Sequence, residues 1–88
     1  RQALVDQVYR PLSEAGGGLL ETVAALLEQA ASLEGAARHL YVHPNTVRYR
    51  LRRIAEVSGL TPTQPRDAFT LRVALTLGRL ADRDEPAL

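Results

Sequence analysis

The 88-residue chain has no cysteine, methionine, tryptophan or lysine, and only four of its residues are phenylalanine or tyrosine. Without cysteine there is no disulfide framework, no thiolate metal site and no cysteine nucleophile. The two histidines, His39 and His43, lack the repeated His/Asp/Glu spacing of a metal site. No apolar run approaches the roughly 18 residues of a membrane span, and no charged-then-apolar leader opens the sequence. A cytoplasmic protein is therefore expected. Catalytic carboxylate pairs, a nucleophile–base set and a phosphate-binding glycine loop are missing too, so neither an enzyme nor a bound cofactor is expected. Scarce aromatics leave no stacking platform for single-stranded RNA. Runs of β-branched residues are also absent, and the pattern that remains is helical, predicting an all-α fold.

What is present suits one small soluble domain: 45% apolar and 24% charged residues, in a length that supports a single modest core. The first residue is Arg1 rather than methionine, so a fragment of a longer protein is expected. The net charge of +1 is unevenly spread. Residues 1–31 carry −2, residues 32–53 carry +4 and the remainder −1, counted from the arginines, aspartates and glutamates of each stretch. A polyanion meets local charge, not the average. All eleven basic residues are arginine, a bias that genomic base composition accounts for, but guanidinium forks suit phosphates and guanine edges.

Apolar periodicity predicts five helices, near 2–11, 19–31, 33–40, 44–58 and 65–81. Pro11 and Gly16-Gly17-Gly18 close the first. Leu19, Leu20, Val23, Leu26, Leu27 and Ala30 stripe the second. Ser32 is placed to cap the third, and Pro44 suits the first position of the fourth, with Gly59 at its end. Residues 1–18 thus read as an N-terminal helix with a glycine-rich connector, 19–81 as the main domain, and 82–88 as a flexible tail.

Two short helices joined by a tight turn, the second of them basic, form the arrangement that presents a helix to the DNA major groove. Ala37 sits where the two helices must cross closely, with Leu40, Val42, Val47 and Leu51 placed to clamp them. At about 100° per residue the fourth helix separates a core stripe of Val47, Leu51, Ile54 and Ser58 from a polar side. On that side His43, Asn45, Arg48 and Tyr49 are the candidates for base edges. Thr46, Arg50, Arg52 and Arg53 are the candidates for phosphates, which position a protein without reporting sequence.

The run Ala36-Ala37-Arg38-His39-Leu40-Tyr41-Val42-His43-Pro44-Asn45-Thr46-Val47-Arg48-Tyr49-Arg50-Leu51-Arg52-Arg53-Ile54 resembles the C-terminal helix-turn-helix of PucR-family bacterial transcriptional regulators. More distantly it is similar to Fis-type helix-turn-helix domains. The stretch Val42 to Leu51 carries most of the specificity. The resemblance implies a C-terminal DNA-binding domain attached to an N-terminal sensory portion. Two positions depart from the pattern. Pro44 stands where many Fis-type motifs carry a basic residue, and Tyr41 stands where such turns often place glycine, at a cost of order 1 kcal/mol if its φ is positive.

Plainer readings stand beside these. An arginine-bearing helix face is often only solvated, His43 serves equally as a helix cap, and Thr46 can bond back to its own helix. Tyr49 can simply cover apolar surface. The competing function is a helical protein-interaction or dimerisation module, which would show an apolar outer face on the fourth helix. The last helix bears on this: Phe69, Val73, Leu77 and Leu80 mark its core face, yet Leu71, Ala74, Leu75 and Gly78 extend the apolar sector well beyond the usual width. The earlier helices, a missing N-terminal portion or a second copy are the possible covers. A homodimer with Leu71 and Leu75 near its contact is the expectation.

Overall fold

The computed structural model describes residues 2–84, and all of its regular structure is helical. Five helices follow one another. α1 covers residues 2–15 in three consecutive stretches, α-helical Gln2–Leu4, π-helical Val5–Tyr9 and α-helical Arg10–Ala15. α2 is Leu19–Glu28, α3 Leu33–Leu40, α4 Pro44–Ser58 and α5 Pro65–Asp84. No helix among the described residues is long and apolar enough to cross a membrane.

α1 runs past the predicted stop at Pro11. The π stretch ahead of it is the reason. There the Arg10 N–H donates to the Val5 carbonyl, five residues back, and this wider turn accommodates the proline ring and its missing N–H within a continuous helix. Gly16, Gly17 and Gly18 then all take positive φ, between 63° and 75°, a run that only glycine adopts without strain. α2 in turn stops at Glu28, short of the predicted 31. Ala30 and Ala31 both adopt left-handed φ, 53° and 64°, and the Ala31 N–H returns to the Leu26 carbonyl at 2.7 Å. Two β-carbons in that region cost roughly 1–2 kcal/mol each, a penalty that periodicity does not register.

Ser32 caps α3 as its position suggests, its Oγ accepting from the Gly35 N–H at 3.0 Å. α3 ends on Tyr41, whose φ is 59°. The Val42 N–H closes the turn by donating to the Ala37 carbonyl at 3.0 Å. Gly59, at φ 76°, closes α4.

α2 is the hub of the packing. One side of it, Ala25 and Leu26, meets Ala36 and Ala37 of α3 and Val47 of α4, with Leu33, Leu40, Val42 and Leu51 around the rim. The small Ala37 lets α3 and α4 cross closely, and this cluster sets the angle between them. On the other side, Leu19 and Val23 join Val8 and Leu12 of α1, Ile54 of α4, and Leu71 and Ala74 of α5. A third cluster, Val5, Tyr9 and Leu75, zips α1 to α5.

The orientation of α5 differs from the predicted one by about half a turn. Leu71 and Leu75 are 1% and 6% exposed and belong to the core, whereas Phe69 is 68% and Leu80 47% exposed. Leu71 and Leu75 therefore cannot form a contact between copies. The reason lies at Gly78, where the Tyr9 ring occupies the place a side chain would take. The Tyr9 hydroxyl continues past it to donate to Asp82 Oδ2 at 2.7 Å. That hydrogen bond, with burial and the Asp82 charge behind it, holds the Tyr9 phenol above the ordinary tyrosine range. Asp82 is thus part of a helix, not of a loose tail; residues 85–88 of the predicted tail lie outside the described residues.

Candidate nucleic-acid interface

α4 is anchored through its apolar side, Val47 and Ile54 being fully buried and Leu51 half-buried. Since the helix repeats every 3.6 residues, burying these positions turns Asn45, Arg48, Tyr49 and Arg52 outward together, and all four are exposed. They are not independent. Arg48 Nη1 donates to Asn45 Oδ1 at 2.7 Å, and the Arg52 guanidinium carbon lies 5.9 Å from the centre of the Tyr49 ring, within cation–π range.

His43 is the N-cap of the helix. Its Nδ1 accepts from the Asn45 N–H at 3.0 Å, so the neutral ring bears its hydrogen on Nε2, a donor left for the exterior. Capping and outward presentation are thus compatible in one side chain. Thr46 is half-buried. Arg53 pairs with Glu56 at 2.8 Å, a surface pair of the kind worth only a fraction of a kcal/mol, about 0.3–0.5.

The structure separates Arg50 from the other candidates. Its Nη1 donates to the Oγ1 of the buried Thr22 at 3.2 Å. Thr22 in turn donates to the Gly18 carbonyl at 2.8 Å. The guanidinium rests on Gly18 so closely that a β-carbon there would stand 2.8 Å from it. Arg50 ties the middle of α4 to the start of α2. Its signal in the sequence was faint: a glycine ending the Gly16–Gly18 run and a threonine one turn later. Arg50 was predicted as a phosphate contact, not as this brace, whereas Arg38, exposed on α3 beside the turn, was not among the predicted residues, although it lies inside the positive segment 32–53. With Glu34, Ala37, Tyr41, Val42 and Pro44 it borders an open, mainly apolar groove of about 540 Å³.

The result is a helix braced at its start by a cap, at its middle by Arg50 and along its back by two clusters, with a cationic outer face. The family described as the PucR C-terminal helix-turn-helix domain matches residues 19–77. The chain belongs to that family. Its match spans α2 to most of α5 and omits α1, although α1 contributes Val8 and Leu12 to the core. An uncharacterized protein of Mycobacterium tuberculosis is 56% identical over 78 residues, covering 89% of this chain and 19% of its own length. The Purine catabolism regulatory protein of Bacillus subtilis is 40% identical over 62 residues, covering 70% of this chain and 12% of its own. A crystal structure of a regulator of polyketide synthase expression from Bifidobacterium adolescentis superposes with a TM-score of 0.85 at 44% identity, over 96% of this chain and 35% of that one. The chain spans about a fifth or less of the curated relatives named here. It is a helix-turn-helix domain of the PucR type, a family of DNA-binding domains in transcription regulation.

Proposed function

We propose that the domain binds double-stranded DNA sequence-specifically, with α4 lying in the major groove as its recognition helix. The observation that carries this reading is the outer face of α4, where Asn45, Arg48, Tyr49 and Arg52 are gathered, exposed and mutually oriented. An interaction module would show apolar residues there. Arg48, steered by Asn45, is suited to the paired acceptors of a guanine edge. The outward Nε2–H of His43 and the Tyr49 ring flank it near the helix start, where base reading concentrates. Arg52, Arg53 and Thr46 serve phosphates, and Arg50 holds the docking angle from behind. In the longer protein this domain acts in the cytoplasm as the DNA-binding end of a transcriptional regulator, joined to an N-terminal sensory portion and working as a homodimer. Relatives named for purine catabolism and polyketide synthase regulation support the regulatory class.

Selection of preferred duplexes from a random pool by the purified domain tests the reading, followed by titration of two variants. Arg48→Ala is expected to lose about 1–3 kcal/mol on the selected site and little on unrelated duplexes. Arg53→Ala is expected to weaken all duplexes alike and to lower the salt slope by about one. A pool that yields no preferred sequence contradicts the proposal; the two variants behaving in reverse contradicts only the division between base and phosphate contacts.

A further inference from the structure

We infer that two copies of this chain pair through the outer face of α5 when they stand on neighbouring turns of one duplex, an inference that rests on the DNA-binding reading above. Because Leu71, Ala74, Leu75 and Gly78 face the core, the opposite side of α5 presents a second stripe. Its members, Phe69, Val73, Thr76 and Leu80, are spaced four, three and four residues apart. That alternation is the seam of a two-stranded coiled coil, in which such residues meet across a pair of helices. Phe69, Thr76 and Leu80 are exposed and Val73 is half-buried. Thr76 does not interrupt the seam. Its hydroxyl donates back to the Arg72 carbonyl at 2.9 Å, which satisfies the polar atom within its own helix.

The residues flanking the seam favour one arrangement. Arg72 and Arg79 border it on one side, Thr70 and Leu77 on the other. Antiparallel helices would set Arg72 against Arg79 of the other copy. Parallel helices set the arginine flank against the Thr70–Leu77 flank, where an arginine stem covers apolar surface without meeting like charge. Arg72 also leans away from the seam, toward the Leu27 carbonyl at 3.5 Å.

Size explains why DNA is needed. The stripe offers only a few hundred Å² of apolar surface, on the order of half the ~800 Å² that each partner of a stable complex buries. Free copies are therefore monomeric at ordinary concentrations. The domain measures 37 × 28 × 21 Å, and equivalent major-groove sites one turn apart lie about 34 Å from each other. With the 37 Å dimension lying along the duplex, two bound copies stand within touching distance, and the duplex supplies an effective concentration that free solution does not.

The test uses duplexes carrying either one selected site or two sites in inverted repeat with centres one turn apart, the two-fold arrangement that pairing through one shared face requires. Wild-type chain is expected to fill the double site cooperatively, at least about tenfold more tightly than the single-site affinity implies. Replacing Phe69 and Leu80 together by serine leaves the charge toward DNA unchanged. That variant should keep single-site affinity within about twofold and lose the cooperativity. Independent filling by wild type, or cooperativity retained by the double-serine variant, overturns the inference and assigns the stripe to another occupant. Failure to bind even single sites would instead contradict the DNA-binding reading, and a second measurement then decides the pairing. The chain has no cysteine, so Thr76→Cys introduces one at the seam and Ser13→Cys introduces one at an exposed position of α1. Oxidation at high protein concentration should link copies through position 76 well ahead of position 13. Equal linkage at the two positions overturns the pairing.

Discussion

α4 and α5 both begin on proline and both pack an apolar stripe against the same core cluster, yet they present opposite problems to a reader of the sequence. α4 has one apolar side and one polar side, so burying Val47 and Ile54 leaves no choice about what faces out. α5 is apolar on two sides. Either could have gone inward, and the decision was made by a residue with no side chain, because Gly78, the one glycine of α5, admits the Tyr9 ring. A hydrophobic pattern orients a helix only when it is one-sided; otherwise shape decides.

The contrast can be broken most directly by truncating the two faces of α5 in turn. Leu71→Ala should cost about 2–5 kcal/mol, as for a fully buried leucine, while Phe69→Ala should stay within about 0.5 kcal/mol. Urea midpoints read both, and equal losses would mean that α5 is oriented otherwise. Gly78→Ala places a methyl group where the Tyr9 ring lies. The expected loss is about 1–3 kcal/mol from overpacking. In the background of Tyr9→Ala, where the ring is gone, the same substitution should become neutral or mildly favourable, since alanine is the better helix former; a double-mutant cycle measures the difference.

At the end of α3 the expected sign is reversed. Tyr41 is 94% exposed and held at φ 59°. Tyr41→Gly removes the left-handed penalty, and a rise of about 1 kcal/mol in stability is expected by thermal denaturation. A fall would mean that the ring contributes more packing than its exposure indicates. The smallest effect concerns pH. The Tyr9 phenol is raised above its unfolded value near 10. The stability it contributes is therefore complete below about pH 10 and is lost as pH rises toward the folded value. Tyr9→Phe should cost about 1 kcal/mol at neutral pH. It should also show a shallower decline than wild type in alkali. Parallel alkaline curves would show that the Tyr9–Asp82 bond contributes nothing.

The legible parts of the molecule were those where one chemical requirement has one common solution. Ser32 before an apolar face, Pro44 at a helix start, Gly59 after a helix end and Ala37 at a crossing each answer a local need, and α3, α4 and the turn between them lie where those residues indicate. The outward grouping of Asn45, Arg48, Tyr49 and Arg52 follows from the same periodicity. What escaped was decided at a distance or by accepted strain. Ala30 and Ala31 end α2 in a conformation alanine disfavours. The π stretch carries α1 through a proline that ordinarily stops a helix. Arg50 sits on the polar side of α4 by its wheel position, but 28 residues of separation conceal its bond to Thr22.

The pairs on the outer face of α4 have a consequence for conformational entropy. Fixing a long side chain at an interface costs about 0.5–1.5 kcal/mol, and arginine has more rotamers to lose than most residues. Arg48 is held by Asn45, Arg52 rests against Tyr49, and His43 is fixed by its cap before any ligand arrives. On the DNA-binding reading proposed above, part of the ordering that a reading surface needs is completed when the chain folds, and Asn45 is expected to influence affinity through the freedom it denies Arg48 as well as through any atom it touches.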